Sequence, residues 1–318
     1  MSNQYDVISM GSSVIDNFLY SGIRERKGLI CFPIGTKIKI KEIEFSVGGG
    51  GANTSVCFSH LGLKAGYLGK IGRGSNSEII LKKLRENGVD FLGVRGKEHA
   101  GYSAILEGDK KHRTILTYKG ASDNLKISEI ELGRLKTKWF YFTSMADESF
   151  KSQKKIAEFA RKRGIRVAYN PSSYQTKFGA EYLRPILKNT DVLTLNKEEA
   201  QMLVKSGNLF KGLRKLGPEI VCITDGEGEG GVYDGEFLYR FWPNKVKVKE
   251  MTGAGDAFGS SFIAGLIKLG DAERALKMAM ANAELVIQKH GGQSGLLEWE
   301  EMEKIIKAKR FRIKREEL

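Results

Sequence analysis

The chain has 318 residues, of which 41% are hydrophobic, so it is long enough to bury a full core. Its three cysteines and four histidines are too few and too scattered for a disulfide framework or a metal cluster, and this cysteine usage is typical of the reducing cytoplasm. The sequence contains neither an apolar run of the roughly 18 residues that a membrane span needs nor a signal-peptide pattern, so no membrane association is expected.

The net charge of +14 raises the possibility of nucleic-acid binding. The lysines and arginines, however, are spread along the predicted helices and strands. That distribution is typical of solvated surfaces with some attraction for anionic substrates. We therefore expect no nucleic-acid partner.

The N-terminal part predicts a buried strand and then a glycine-rich helix start. Residues 7–10 form the apolar strand, which ends at Gly11, and Asp16 follows five residues later. Four consecutive glycines at 48–51 then lead into a helical pattern, where a small ligand can pack against bare backbone. Asn53, in the first turn of that helix, offers one acceptor and two donors to a polyhydroxylated ligand. A flexible linker is the alternative interpretation of the glycines, and a surface turn is the alternative for Asp16.

Two regions outside this helix predict strands with one apolar face and no helix to cover it. Residues 37–41 alternate with a period of two, and 102–107 are expected to pair with 113–118 across a turn. A third hairpin is expected at 231–239, because an Asp-Gly pair lies between its two extended halves.

The rest of the chain alternates between helical and extended patterns. Helix-then-strand order recurs at 156–170, 182–195 and 209–224. Alternation of this kind predicts a parallel sheet covered by helices, with ligands at the carboxyl ends of the strands.

The segment 251–258 carries the strongest chemical signal. Gly253, Ala254 and Gly255 form a small-residue turn that feeds an apolar helix, so unpaired backbone N–H groups and the positive end of the helix dipole favour a bound phosphate. Asp256 comes next and would repel an anion, but it is well placed to take a proton from a hydroxyl that attacks the phosphate. The alternative is a glycine turn in which Asp256 is an ordinary N-cap.

Together, Gly-Gly-Gly-Gly-Ala-Asn at 48–53 and Thr-Gly-Ala-Gly-Asp at 252–256 resemble the two motifs of the ribokinase-like (PfkB) carbohydrate kinase family, over roughly residues 5–297. The resemblance implies an α/β three-layer fold with a mostly parallel central sheet, helices on both faces and a small β-sheet lid. It implies a single domain, 1–318, with lid strands drawn from about 17–46 and 98–120. The implied activity is ATP-dependent phosphoryl transfer to a hydroxyl of a sugar or sugar-like substrate. Since lids of this kind often mediate dimerisation, a homodimer through the lid is expected.

The same resemblance assigns roles to individual residues. Asp256 is the expected base, and the backbone amides of Gly253, Ala254 and Gly255 are expected to stabilise the transferred phosphoryl group. The remaining roles are the acceptor site at Asp16, Gly49, Gly50 and Asn53; the ATP site at Thr224, Gly226 and Asn282; Mg²⁺, through water, at Asn196 and Glu199; and a possible monovalent cation at Glu250.

The sequence also departs from the family pattern. Ribokinases carry a lysine where this chain has Gly50, which argues against assuming ribose and leaves open a nucleoside kinase. A catalytically silent relative that binds a sugar or a nucleotide is a further alternative. Glu250 stands where many relatives have an aspartate, so potassium activation stays open. Asn196 and Glu199 also match an ordinary helix-start pattern.

Overall fold

A computed structural model describes residues 4–109 and 113–318. The strands are β1 (Tyr5–Met10), β2 (Val14–Tyr20), β3 (Glu42–Gly48), β4 (Ala65–Leu68), β5 (Lys70–Arg73), β6 (Asp90–Phe91), β7 (Val94–His99), β8 (Gly101–Glu107), β9 (Arg113–Tyr118), β10 (Thr137–Thr143), β11 (Arg166–Asn170), β12 (Val192–Asn196), β13 (Ile220–Thr224), β14 (Gly230–Tyr233), β15 (Phe237–Trp242) and β16 (Arg312–Glu317). The helices are α1 (Gly50–His60), α2 (Ser75–Glu86), α3 (Asp147–Lys162), α4 (Ser172–Thr176), α5 (Ala180–Leu187), α6 (Lys197–Leu203), α7 (Leu209–Arg214), α8 (Ala254–Leu269), α9 (Ala272–Val286) and α10 (Trp299–Ala308).

The large sheet has the strand order β16-β15-β14-β13-β12-β11-β10-β1-β4-β6. Its strands pair in parallel from β13 through to β6, and the pairs from β13 to β16 are antiparallel. The predicted helix-then-strand units supply α3 with β11, α5 with β12 and α7 with β13. The mostly parallel sheet expected from the alternation is therefore confirmed.

Both faces of this sheet are buried, and β10 shows how. Trp139 and Tyr141 belong to one hydrophobic cluster, whereas Phe140 and Phe142 belong to another. Since successive side chains of a strand point to opposite faces, a strand that is apolar throughout requires cover on both sides. Helices α1, α8, α9 and α10 cover one face, and α3, α5, α6 and α7 cover the other.

A small four-stranded sheet has the order β3-β2-β8-β9, with β2 and β8 parallel and the other two pairs antiparallel. The predicted pairing of 102–107 with 113–118 is confirmed, since Tyr102 lies opposite Tyr118 and Glu107 opposite Arg113. The tip of that hairpin, 110–112, lies outside the described residues. Both strands of the third predicted hairpin are likewise present, as β14 and β15.

The strand predicted at 37–41 was wrong, because these residues lie outside the strands and β3 begins only at Glu42. Glu42 lies opposite Tyr20, the last residue of β2, and Gly22 then turns the chain away with φ 64°. The Lys41 N–H still donates to the Tyr20 carbonyl oxygen over 2.9 Å, but residues 37–40 have no partner strand, so their alternation of lysine and isoleucine has no sheet to join.

The helices of the described ranges include none that is both long and apolar enough to cross a membrane.

Candidate active site

A cleft opens where the parallel strands end, as expected for an open α/β sheet. The residues that follow or end these strands, and that line the cleft, are Ser12 after β1, Thr143 of β10, Asn170 of β11, Asn196 of β12 and Thr224 of β13.

Two glycine-rich segments bring their backbones to this cleft. Gly49 precedes α1 with φ 92°, and a Cβ there would lie 2.6 Å from the carbonyl oxygen of Ser12. Gly253 precedes α8 with φ 81°, and a Cβ there would lie 2.4 Å from the Cα of Gly292. Both positions therefore require glycine, for the left-handed backbone and for the close approach.

The two segments meet through a side-chain hydrogen bond between their helices. Asn53 Nδ2 donates to Asp256 Oδ2 over 2.8 Å, and Gln293 Nε2 donates to Asn53 Oδ1 over 3.2 Å. Asp256 lies in the first turn of α8, whose N-cap is Gly253, so the interpretation of Asp256 as an N-cap is wrong. Its carboxylate is held by Asn53 instead.

The electrostatics of Asp256 favour a proton-accepting group. Burial raises the pKa of this carboxyl above its ordinary value, the hydrogen bond from Asn53 lowers it, and the nearby charge of Asp16 raises it. Asp256 is partly buried, and a carboxylate with a raised pKa is more basic than an ordinary one, which suits a general base.

Three cavities run along the cleft. The apolar cavity, of about 350 Å³, is bounded by Gly226, Phe241 and Ala283 among others. The central cavity, of about 260 Å³, shares Thr224 with the apolar cavity. The small-sheet cavity, of about 600 Å³, shares Asp256 with the central cavity. The carboxylate of Asp256 thus lies at the junction of the central and small-sheet cavities.

Two of the four sequence-predicted acceptor residues line the small-sheet cavity, whereas Asp16 and Asn53 line none of the three cavities. Gly49 and Gly50 line the small-sheet cavity. Asp16 lies within β2 and is 7% exposed, so its alternative as a surface turn residue is wrong. Burial raises the pKa of Asp16, and a hydrogen bond with Ser103, which itself lines this cavity, lowers it.

The predicted nucleotide residues belong to the apolar cavity, with one exception. Thr224 and Gly226 line the apolar cavity. Asn282 does not, and this is a correction: it is fully buried, its Nδ2 donates to Ser261 Oγ over 2.8 Å, and its Oδ1 accepts from the Leu297 N–H over 2.9 Å. Asn282 fastens α9 to its neighbours, and the adjacent Ala283 faces the cavity.

Asn196 and Glu199 line the central cavity as a reciprocal cap of α6. Asn196 Oδ1 accepts from the Glu199 N–H over 2.8 Å, and Glu199 Oε2 accepts from the Asn196 N–H over 3.0 Å. The helix-start interpretation is therefore confirmed, while both side chains still border the cavity. Burial raises the pKa of Glu199.

Glu250 already has partners in the protein. Its Oε1 accepts from Arg113 Nη1 over 2.7 Å, its Oε2 accepts from the Gly291 N–H over 2.9 Å, and His290 Nδ1 lies 3.8 Å away. The side chain of Glu250 is only 4% exposed. Because a guanidinium neutralises this carboxylate, Glu250 does not fit the role of a monovalent-cation ligand.

Sequence reasoning missed several residues of the small-sheet cavity, among them Lys119, Thr143, Asn170 and Ser172. Asn170 is the polar last residue of a predicted strand, and Thr143 is the polar last residue of an apolar strand, so the sequence could have indicated both. Lys119 carries no such signal, since it follows β9 in the small sheet and reaches the cavity only through the fold.

This fold, with a carboxylate at the junction of the cavities, defines a small-molecule phosphotransferase that acts on a hydroxyl group. The family model for pfkB family carbohydrate kinases matches residues 7–299. The chain belongs to this family.

Individual relatives and solved structures agree. An uncharacterised sugar kinase of Archaeoglobus fulgidus is 30% identical over 247 residues, which is 75% of this chain and 97% of that protein. The 5-dehydro-2-deoxygluconokinase of Bacillus subtilis is 28% identical, with coverages of 82% and 87%. The structure of Arabidopsis thaliana ribokinase complexed with ribose and ATP has a TM-score of 0.81 at 20% identity and covers 96% of this chain and 100% of that one. The ribokinase-like fold is therefore confirmed.

Proposed function

We propose that the protein is an ATP-dependent sugar kinase, which transfers the terminal phosphoryl group of ATP to a hydroxyl of a sugar or sugar-like acceptor. The observation that carries this proposal is the position of Asp256, at the junction of two cavities and hydrogen-bonded to Asn53. The names of the two relatives, a sugar kinase and a 5-dehydro-2-deoxygluconokinase, support a sugar acceptor.

In the proposed mechanism, the acceptor occupies the small-sheet cavity against the backbone of Gly49 and Gly50, and the nucleoside of ATP occupies the apolar cavity. The acceptor hydroxyl loses its proton to Asp256 while its oxygen bonds to the terminal phosphorus. The bond from that phosphorus to the bridging oxygen breaks, and ADP leaves. The backbone amides of Gly253, Ala254 and Gly255 stabilise the charge of the transferring group, because they lie at the positive end of the α8 dipole.

Asn196 and Glu199 would hold Mg²⁺ through bridging water. Their oxygens already accept backbone N–H groups, yet both residues border the central cavity. The described ranges also contain no cluster of three or more histidine, cysteine, aspartate or glutamate side chains fit to bind a metal directly. This arrangement favours water-mediated contacts, which Mg²⁺ commonly keeps, and the ion would neutralise phosphate charge.

Two further proposals concern the setting of the enzyme. All three cysteines are free, which supports a reducing cytoplasmic location. The outward face of the small sheet carries exposed apolar side chains, including Phe45 and Leu116, which supports a homodimer through that sheet.

The decisive test is Asp256→Asn, assayed by ADP release across a panel of sugars and nucleosides. General-base catalysis typically contributes about 10²–10⁴-fold, so we expect turnover to fall by that factor while ATP binding is retained. Asp271→Asn is the matched control, because Asp271 caps the neighbouring helix α9, lies away from the three cavities, and can be replaced by an equally good cap.

Near-normal turnover of Asp256→Asn would contradict the proposed role. Turnover of nucleosides alone would reassign the acceptor class. Ligand binding without ADP release in the wild type would indicate a binding protein.

A further inference from the structure

The small-sheet cavity contains a cation for which the mechanism has no use. Lys119 lines this cavity at the end of β9, and its carbonyl oxygen accepts the Ser122 N–H over 3.1 Å, which fixes its backbone. Its Nζ lies 4.9 Å from the centroid of the Tyr174 ring, another residue of the cavity wall. The side chain is therefore placed by a cation–π contact rather than by a carboxylate.

The charge of Lys119 has no ionic partner. Within residues 4–109 and 113–318, its Nζ takes part in no ion pair, although Asp16 and Asp123 lie near enough to feel its charge. Among the residues that line the small-sheet cavity, the cationic side chain is that of Lys119 and the carboxylate is that of Asp256. A partly buried ammonium that makes no direct ion pair is still available to bind an anion.

Hydroxyl groups of the same cavity are also unsatisfied. Thr143 is 4% exposed, and its Oγ1 is buried without a hydrogen-bond partner in the described part of the chain. The Oγ of Ser172 is in the same condition, and both residues line the cavity. Thr143 Oγ1 lies against the backbone of Gly11 and Gly50, so these hydroxyls show that the wall beside Lys119 is polar, and they are not assigned a direct contact with the ligand.

We propose that the acceptor is an anionic sugar, with a carboxylate or a phosphate group that Lys119 binds in the small-sheet cavity. This inference rests on the proposed function and names its substrate class. The negative group of the acceptor lies toward Lys119 and away from Asp256, because Asp256 would repel it. The reacting hydroxyl lies toward Asp256, where its proton is removed.

The test uses three matched pairs of probes: glucose with gluconate, ribose with ribose 5-phosphate, and fructose with fructose 6-phosphate. Binding is measured by calorimetry and turnover by ADP release, for the wild type, Lys119→Met, Lys119→Arg and Lys177→Met. Lys177 is the matched control, since its Nζ also lies over the Tyr174 ring, at 5.6 Å, but it is exposed and not part of the cavity wall.

We expect at least one charged probe to bind more tightly than its neutral counterpart. Lys119→Met should weaken that binding by about 10- to 100-fold, as for the loss of a charge-assisted hydrogen bond, whereas the affinity for the neutral probe stays unchanged. Lys119→Arg should retain most of the affinity, and Lys177→Met should retain all of it. A response to gluconate indicates a carboxylate ligand, and a response to the sugar phosphates indicates a phosphate.

The proposal is overturned if no charged probe binds more tightly than its neutral partner, or if Lys119→Met leaves the preference intact. Its failure can be told from failure of the kinase assignment. If the protein prefers neutral sugars but still releases ADP, the kinase assignment stands and the anionic acceptor is ruled out. If it binds charged probes more tightly but releases no ADP, the anionic ligand stands and the kinase assignment is ruled out.

Discussion

Asp256 shows how the chemistry of one residue works against the stability of the fold. Burial raises the pKa of its carboxyl, so the folded state holds the proton more tightly than the unfolded state does. Stability therefore falls as the pH rises from the unfolded pKa through the folded pKa. At neutral pH the charged carboxylate is destabilising, and the hydrogen bond from Asn53 offsets part of that effect.

We accordingly expect Asp256→Asn to be more stable than the wild type at pH 7, because the amide carries no charge and can still accept from Asn53. For a chain of this size, a rise in Tm of about 2 °C corresponds to roughly 1 kcal/mol. The difference should disappear in acid, where both forms are neutral. Thermal unfolding from pH 4 to pH 8 measures it, with Asp271→Asn as the control. A lower Tm at pH 7, or a gap that does not change with pH, would contradict the explanation.

Individual site residues were predictable where a motif fixes the backbone. Gly49, Gly253 and Asp256 lie at helix starts, and their local geometry follows from the sequence. The ATP-site role predicted for Asn282 was wrong, because the packing of α9 turns its side chain away from the apolar cavity. A motif match does not contain that information.

At the scale of elements, the contact between Arg113 and Glu250 joins the small sheet to the segment before α8. The two residues are 137 positions apart, and the side chain of Arg113 is 29% exposed. Glu250 immediately precedes Met251 and Thr252, which line the small-sheet cavity. The ion pair therefore holds β9 over the cavity and neutralises a buried carboxylate.

Arg113→Ala should destabilise the protein by about 1–3 kcal/mol, because the buried carboxylate of Glu250 loses its charged partner. Glu250→Gln removes that charge, so the double variant should lose less stability than the sum of the single variants. Chemical denaturation of all four proteins measures the coupling.

Turnover of the wild type should also be equal in sodium and potassium buffers. Additive losses would disprove the role assigned to Arg113, and clear activation by potassium would contradict the exclusion of Glu250 as a cation ligand.

Elements with local partners were predicted better than those with distant ones. The pairing of β8 with β9 follows from adjacent patterns in the sequence. The strand expected at 37–41 failed because its partner, β2, ends at Tyr20, and nothing near residue 40 reveals that limit. The ion pair of Arg113 with Glu250 likewise has no sequence signal, since it depends on where two distant elements come to lie.

At the scale of the whole molecule, the two faces of the small sheet differ in character. Ile115 of β9 lines the small-sheet cavity, so its neighbours Leu116 and Tyr118 point to the opposite, outward face. Leu116 is 59% exposed, and Ile43 and Phe45 of β3 are also exposed on that face. An apolar surface of this kind is costly to leave in water, and a second copy of the chain would cover it.

Leu116→Glu should therefore shift the protein from dimer to monomer, because it would place a charge within the apolar contact. Sedimentation equilibrium or light scattering measures the mass. Phe178→Glu is the control, since Phe178 is 57% exposed but lies on another part of the surface. A wild type that is monomeric at high concentration, or a Leu116→Glu variant that stays dimeric, would rule out this mode of association.

The outer edge of the large sheet is charged, unlike the apolar outward face of the small sheet. Its last strand, β16, is largely exposed and contains Arg312, Lys314 and Arg315, and the guanidinium of Arg315 lies 3.4 Å from the centroid of the Phe237 ring. Lysine and arginine on an outermost strand discourage the addition of a foreign strand, and here they also shield the aromatic rings of β15. End-to-end stacking through this edge is thereby disfavoured, so the proposed association through the small sheet would stop at a closed pair instead of growing into a fibre.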